Sequence, residues 1–198
     1  MTKEIIKDCT LYLGDTRDIL PVLGFCADLI ISDPPEDNNF HFQDIMDLHY
    51  NALRSGSCYV FSSAQRLLPM LDGAETQGLD FHDMLVLDRG NNNISFVGLF
   101  YKGTAKYFDN KMPKEAFSNL KETDHPEEKP VSVLERYILN STQPGDTVLD
   151  PFFGSGSTAI ACLNTGRKFI GIENDKKWFD LAVDRIESHN TNKERRIV

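Results

Sequence analysis

Short apolar runs alternate along the chain with longer amphipathic stretches, the pattern of strands joined by helical crossovers in a largely parallel sheet. The short runs predict seven strands, at positions 10–13, 29–32, 58–62, 84–87, 96–101, 147–150 and 168–172. The longer stretches end in turn or capping residues and predict helices, at 16–23, 43–53, 64–77, 131–140, 157–165 and 175–188. The chain is therefore expected to be an α/β protein built on one seven-stranded sheet.

One pair of predicted strands departs from this alternation. Only the turn-rich segment Asp-Arg-Gly-Asn-Asn-Asn at 88–93 separates the strands at 84–87 and 96–101, which favours an antiparallel hairpin at the edge of the sheet. Positions 102–124, with prolines, lysines and no sustained period, predict a short surface loop. We expect a single domain over 1–190 and a disordered tail over 191–198.

Composition supports one soluble domain. The 198 residues are 40% hydrophobic and 26% charged, within the range of ordinary globular proteins. No stretch approaches the ~20 apolar residues of a membrane span, and the N-terminus lacks an apolar signal core. The four cysteines are scattered without a Cys-x-x-Cys pair, which favours reduced thiols over disulfides or a metal site. A cytosolic protein without a bound metal is the expectation.

Net charge and its distribution point in different directions. A formal charge of −9 argues against broad nonspecific binding to nucleic acid, which depends on Lys and Arg at phosphates. Between positions 89 and 121, however, basic residues outnumber acidic ones. This segment is either a solvated loop or a surface for the DNA backbone, and the candidates for phosphate contacts are Arg89, Lys102, Lys106, Lys111 and Lys114.

The turn Asp33-Pro34-Pro35-Glu36 follows the apolar strand at 29–32. Each proline locks its own φ and pushes the preceding residue toward extended geometry, which holds the Asp33 carboxylate at the edge of the sheet. Because neither proline has an N–H, the turn offers a carboxylate and bare carbonyls as acceptors. Such a turn suits a substrate amino group.

A glycine-rich loop follows the strand at 147–150 and leads into a helix. Gly154 and Gly156 allow a ligand to approach the backbone, and the helix start supplies unpaired N–H groups. The next strand leads to Glu173, about 20 residues on, where an acid binds ribose hydroxyls in nucleotide-binding sheets. This arrangement favours a nucleoside-bearing cofactor over a purely structural glycine turn.

The glycine spacing alone also satisfies the loose fingerprint of NAD-binding proteins. A dinucleotide fold normally opens with this turn and builds several strands after it. Here about 45 residues follow Gly154, enough for one strand and its helices. The two halves of the sheet are therefore expected in swapped order, with the partner half supplied by residues 10–101.

The combination resembles the β-class amino-methylating DNA methyltransferases, which modify adenine N6 or cytosine N4. The resemblance lies in Asp-Pro-Pro at 33–35, His-Pro-Glu-Glu-Lys-Pro at 125–130, the run from Pro144 through the glycine loop, and Gly-Ile-Glu at 171–173, in the permuted order of the family. It covers 10–35 and 125–187. It implies a Rossmann-like S-adenosylmethionine-dependent methyltransferase fold with an antiparallel edge hairpin.

The resemblance also implies the ligands and the roles of the residues. S-adenosylmethionine would be the cofactor, and duplex DNA with a flipped base the substrate, with Asp33, Pro34 and Pro35 as the catalytic turn. The implied cofactor-binding residues are Asp15, Lys129, Pro130, Phe152, Phe153, Gly154, Ser155, Gly156, Ser157 and Glu173. An acid at position 33, where cytosine enzymes often carry serine, favours adenine. A bacterial or phage restriction–modification context and a homodimer follow by analogy.

The chain departs from the family pattern at the fourth residue of the catalytic turn. Where relatives carry an aromatic residue that stacks on the base, this chain has Glu36. Base–aromatic stacking is worth about 1–3 kcal/mol, so base capture is weakened unless Phe40 or Phe42 folds over the base. Together with the short 102–124 loop, Glu36 keeps open an alternative, a non-catalytic relative that serves as a DNA- or protein-binding regulatory module.

Overall fold

One mixed sheet of eight strands organises the residues that the computed structural model describes, which are 2–36, 40–88, 94–104 and 129–195, with side chains through 189. The order across the sheet is β1-β2-β8-β7-β3-β4-β6-β5. The five strands from β2 to β4 in this order are parallel neighbours. The strands are β1 (Thr2–Ile6), β2 (Cys9–Leu13), β3 (Ala27–Ser32), β4 (Leu53–Ser62), β5 (Asp80–Asp88), β6 (Ile94–Lys102), β7 (Thr147–Asp150) and β8 (Lys168–Glu173).

Within the described residues, three helices cover each face of the sheet. Helices α1 (Thr16–Leu23), α2 (Phe42–Ala52) and α3 (Leu67–Thr76) pack with one apolar cluster, and α4 (Val131–Ser141), α5 (Ser157–Thr165) and α6 (Lys176–Arg195) pack with the other. A 3-10 turn at Ala64–Arg66 precedes α3. Successive residues of the central strands enter opposite clusters, because side chains alternate across a strand. No helix among these residues is long and apolar enough to cross a membrane.

All seven predicted strands are present, and the antiparallel hairpin of β5 and β6 at one edge is confirmed. The predicted strand count is corrected by β1, an eighth strand that pairs antiparallel with β2. Four of the five β1 residues are exposed, so the strand carries no apolar run that would have revealed it. Pairing with β2 through the turn at positions 7–8 holds it in place.

Part of the predicted tail, positions 191–195, lies in a helix. Helix α6 continues to Arg195, because the sequence after Ser188 contains no proline or glycine that would end it. Positions 196–198 lie outside the described residues.

The crevice for a ligand arises between β3 and β7. These two strands are parallel neighbours, with Leu29 beside Val148 and Ile30 beside Leu149. After β3 the chain leaves toward the helical face of α2, and after β7 it leaves toward the opposite face through α5. Ligands of open α/β sheets bind at such a switch point, outside the carboxyl ends of the strands.

The pairing of β3 with β4 depends on a glycine. A Cβ at Gly56 would lie 2.1 Å from the carbonyl oxygen of Asp28, a backbone atom of the neighbouring strand, and the φ of Gly56 is +156°. The register of the two strands shifts at this end, between Ala27 and Leu29. The absence of a side chain at Gly56 therefore allows the two backbones to approach closely at this end.

We predict that Gly56→Ala lowers the free energy of unfolding by about 2–4 kcal/mol, from overpacking added to backbone strain. The matched control is Gly166→Ala, which has a positive φ, +73°, in the left-handed helical region and open space around the added Cβ. It should cost about 1 kcal/mol. Urea denaturation compares the two variants, and equal losses would contradict a steric role for Gly56.

Candidate active site

Asp33 follows β3 directly and contacts a buried lysine. The ammonium of Lys129 donates a hydrogen bond to Oδ2 of Asp33 in an ion pair. The Lys129 side chain is 9% exposed and that of Asp33 is 40% exposed, so the carboxylate remains open to a ligand. Lys129 also lies 5.0 Å from the centroid of the Phe61 ring. The pair joins the end of β3 to the segment before α4.

The Asp33 turn forms one wall of a cavity of about 560 Å³. Pro34 is buried, Pro35 is half-buried and Glu36 is exposed. The other walls come from the end of β4, the 3-10 turn and the start of β6. The lining residues are Asp33, Pro34, Pro35, Glu36, Phe61, Ser62, Ser63, Arg66, Ile94, Ser95 and Lys129. Apart from the turn and Lys129, these residues were not identified from the sequence, although the end of a parallel strand such as β4 is a place to look for them.

Arg66 contacts the backbone on both sides of positions 36–39, directly after the Asp33 turn. Its guanidinium donates to the carbonyl oxygens of Pro35, at 2.8 Å, and Phe40, at 3.2 Å. The guanidinium carbon lies 4.5 Å from the centroid of the Phe42 ring. The Arg66 side chain therefore links the backbone of Pro35 to that of Phe40.

Phe40 and Phe42, predicted to rescue base stacking, are not among the described residues that line the Asp33 cavity. Phe40 packs edge-on against Phe152, with ring centroids 5.3 Å apart, and Arg17 lies over its ring. Phe42 is the first residue of α2 and is buried in the core. Helix formation directly after the loop turns both rings away from the cavity, so their placement does not support the predicted role.

The glycine loop has the geometry that close approach of a ligand requires. Gly154 and Gly156 have φ values of +49° and +85°, and a Cβ on Gly154 would enter open space. A Cβ on Gly156 would instead meet Ala182 of α6 at 3.1 Å. The absence of a side chain at Gly156 therefore lets the loop pack against α6, whereas its absence at Gly154 leaves open space in front of the loop.

Helix α6 also fixes the loop by hydrogen bonds. Arg185 donates to the carbonyl oxygen of Ser155 at 3.1 Å and lies 3.3 Å from Oγ of Ser157. Sequence reasoning missed Arg185 because it lies 30 positions from Ser155. Phe153 packs edge-on against Phe169 and Phe179. Its side chain is buried in the core, so only its backbone can take part in the predicted cofactor site.

The carboxylates of Glu173 and Asp150 accept hydrogen bonds from the backbone of the glycine loop. Glu173 accepts the N–H of Gly154 at 3.0 Å and the N–H of Asp175 at 2.8 Å, and burial raises its pKa. Asp150 accepts the N–H of Phe152 and the hydroxyl of Thr158. Burial raises the pKa of Asp150 to about 7. The loop backbone is thus held by fixed acceptors.

A small cleft of about 20 Å³ lies beside Glu173, with Phe40 and Phe152 among its walls. Thr16 and Asn174 also line it, and neither was predicted. The Thr16 hydroxyl donates to the carbonyl oxygen of Pro151. The cleft joins apolar rings to the Glu173 carboxylate, so it offers an apolar surface for a base and an acceptor for ribose hydroxyls. An adenine ring is larger than this cleft, so its entry requires some of the walls to shift.

Asp15 lies at the same edge, as the N-cap of α1. Its carboxylate accepts the N–H of Arg17 at 2.8 Å, and the side-chain hydrogen bond from Arg17 lowers the pKa of Asp15. The N–H of Gly14 bonds the carbonyl oxygen of Glu173 at 2.9 Å. Arg17 binds Asp15 and also lies over the ring of Phe40, which lines the cleft, so Asp15 lies near the cleft.

Pro130, another predicted cofactor-binding residue, is the N-cap of α4 and follows Lys129 directly.

Lys102 occupies the opposite end of the sheet. The register pairs it with Gly56, near the start of β4, whereas the cavity lies at the other end of that strand. The ammonium donates to the carbonyl oxygens of Tyr50 and Leu53 and lies 3.8 Å from the centroid of the Tyr50 ring. This position does not support the predicted contact with the DNA backbone. The other candidates lie outside the described residues: Arg89, Lys106, Lys111 and Lys114.

Among the described residues, no group of His, Cys, Asp or Glu side chains could hold a metal ion.

Comparison with known proteins adds a family match and solved relatives. A family model described as DNA methylase matches residues 98–184. The crystal structure of the M1.HpyAVI–SAM complex superposes with a TM-score of 0.78 at 30% identity, over 90% of this chain and 98% of that one. The PvuII DNA methyltransferase, described as cytosine-N4-specific, superposes with a TM-score of 0.76 over 91% of this chain and 90% of its own. At 16% identity it shows the fold alone.

A curated relative shares a shorter segment. The Type II methyltransferase M2.DpnII of Streptococcus pneumoniae is 48% identical over 66 residues, which are 33% of this chain and 25% of that protein. The match therefore spans a quarter of the curated relative. With the solved relative covered almost completely at 30% identity, the chain belongs to the N4/N6 DNA methylase family.

Proposed function

We propose that the protein transfers a methyl group from S-adenosylmethionine to the exocyclic amine of a base in DNA. The observation that supports this proposal is that the two candidate sites follow neighbouring parallel strands. The Asp33 turn follows β3, and the glycine loop follows β7, its parallel neighbour. An acceptor site for an amine and a site for a nucleoside cofactor therefore open side by side.

The residues around the glycine loop fit S-adenosylmethionine. Glu173 is oriented by two backbone N–H groups, and its remaining lone pairs suit ribose hydroxyls. Phe152 and Phe40 supply apolar surface for an adenine ring, with Asp15 next to them through Arg17. When bound, the cofactor supplies an electrophilic methyl group on a sulfonium. The crystal structure of M1.HpyAVI in complex with SAM supports this assignment.

The Asp33 turn favours the reactive form of the amine. A nucleobase amine is a poor nucleophile because its lone pair is delocalised into the ring. The Asp33 carboxylate and the Pro34 carbonyl would accept its two N–H groups and stabilise the pyramidal form. This stabilisation grows as positive charge develops on the nitrogen, so it acts in the transition state. Lys129 holds the carboxylate in place through its ion pair.

The cavity has the size of a small-ligand site. Pockets for such ligands measure roughly 300–1,000 Å³, and the Asp33 cavity measures about 560 Å³. A base inside a duplex cannot reach this wall, so the target must leave the stack at a cost of a few kcal/mol. Asp33 favours adenine over cytosine as the target. The DNA contacts of the 89–121 segment and a homodimer stay predictions.

The first prediction concerns the cofactor. Gly154→Leu should abolish saturable binding of S-adenosylmethionine in calorimetric titration, because the side chain fills the open space in front of the loop. Gly166→Leu is the matched control. It has a similar left-handed φ, +73°, and open space at the far end of α5, so it should bind the cofactor as the wild type does. Absence of binding by folded wild-type protein would refute the cofactor assignment.

The second prediction concerns catalysis. Asp33→Ala should lower tritium transfer from S-adenosylmethionine to unmethylated plasmid DNA by about 100-fold or more, the scale of losing one transition-state hydrogen bond. Asp180→Ala is the control, since it removes an exposed ion pair with Lys176 on α6. Equal rates in wild type and Asp33→Ala would exclude the proposed role of Asp33. Cofactor binding by a wild type that transfers no methyl would instead favour the non-catalytic alternative.

A further inference from the structure

Arg66 lies where two cavities meet. The Asp33 cavity shares Glu36, Ser63 and Arg66 with a second cavity of about 460 Å³. The second cavity is otherwise lined by Phe40, His41, Phe42, Gln65 and Pro69. The Arg66 side chain therefore forms part of the partition between the substrate cavity and the loop that follows the catalytic turn.

The Arg66 guanidinium is held in one orientation. Hydrogen bonds to the carbonyl oxygens of Pro35 and Phe40 fix its direction, and the Phe42 ring packs on it at 4.5 Å. A long side chain normally loses rotamer entropy when it binds a ligand. The Arg66 side chain is already ordered in the folded protein, so binding a ligand to its planar guanidinium costs little further rotamer entropy.

Phe42 covers one face of the Arg66 guanidinium and is not among the residues that line the Asp33 cavity, whereas Arg66 lines both cavities. The guanidinium face opposite Phe42 is therefore the candidate surface for a ligand next to Asp33. A guanidinium plane stacks on aromatic rings and on nucleobases.

We propose that the Arg66 guanidinium is the surface on which the flipped base stacks, in place of the aromatic residue that position 36 lacks. This inference rests on the proposed function, because it needs a base in the Asp33 cavity. The base would lie between the carboxylate that accepts its amine and the plane that supports its ring. Glu36 is exposed at the rim of the same cavity and leaves room for this arrangement.

Initial rates of tritium transfer to unmethylated plasmid DNA test the proposal. Arg66→Ala should raise the KM for DNA by about tenfold or more, the effect of losing one stacking partner. The change in the KM for S-adenosylmethionine should be smaller, because, within the described residues, Arg66 contacts the cofactor cleft only through the carbonyl oxygen of Phe40. Arg66→Lys should give the same rise, because an ammonium keeps the charge without the plane. Thermal unfolding checks that each variant is folded. If Arg66→Ala does not fold, Arg66→Lys alone provides the test.

A double substitution separates stacking from mere support of the turn. Glu36→Tyr returns an aromatic ring to the fourth position, so it should restore a low KM for DNA in the Arg66→Lys or Arg66→Ala background. The control is Arg54→Ala, an exposed arginine paired with Asp28 at the other end of the sheet, which should leave both KM values unchanged.

Two results would overturn the inference and leave the proposed function intact. Wild-type KM for DNA in Arg66→Lys would show that charge, not the plane, is used. Failure of Glu36→Tyr to improve either Arg66 variant would show that Arg66 only supports the turn. A wild type that methylates no DNA would instead overturn the proposed function, and this inference with it.

Discussion

The parallel pairing of β3 with β7 is the constraint on which the site depends. Two residue pairs, Leu29 with Val148 and Ile30 with Leu149, set the register. This register aligns the carboxyl ends of segments that lie more than 100 positions apart in the chain. Because the connections after the two strands leave toward opposite faces, the crevice above the strands stays open. Loss of this pairing would separate the carboxylate of Asp33 from the glycine loop.

The segments after β3 and after β7 supply different chemical groups to the crevice. On the β3 side, two prolines without N–H groups and the Asp33 carboxylate make a wall of acceptors. On the β7 side, carboxylates of Asp150 and Glu173 hold the backbone of the glycine loop. Lys129 compensates the charge of Asp33 by an ion pair while leaving the carboxylate accessible. A cofactor with a sulfonium cation and a neutral amine suit such an environment, because carboxylates attract positive charge and accept hydrogen bonds from N–H groups.

The parts of this site that could be predicted from the sequence follow local rules. Asp33, Gly154 and Glu173 stand directly after apolar runs or within a glycine turn, where neighbouring residues determine the backbone. Arg66 and Arg185 could not be predicted, since each acts on a segment about 30 positions away. The positions of Phe40 and Phe42 could not be predicted, because contact with Phe152 and the start of α2 determine them. β1 was missed because its exposed residues leave no apolar pattern, and only its pairing with β2 reveals it.

The most direct test of the account identifies the methylated product. Unmethylated plasmid DNA would be incubated with the protein and S-adenosylmethionine, digested to nucleosides and examined by mass spectrometry. The account predicts a new exocyclic-amine product, N6-methyldeoxyadenosine rather than N4-methyldeoxycytidine, that is lost with Asp33→Ala. A ring-carbon product such as 5-methyldeoxycytidine, or no methylated nucleoside from folded protein that binds the cofactor, would contradict it.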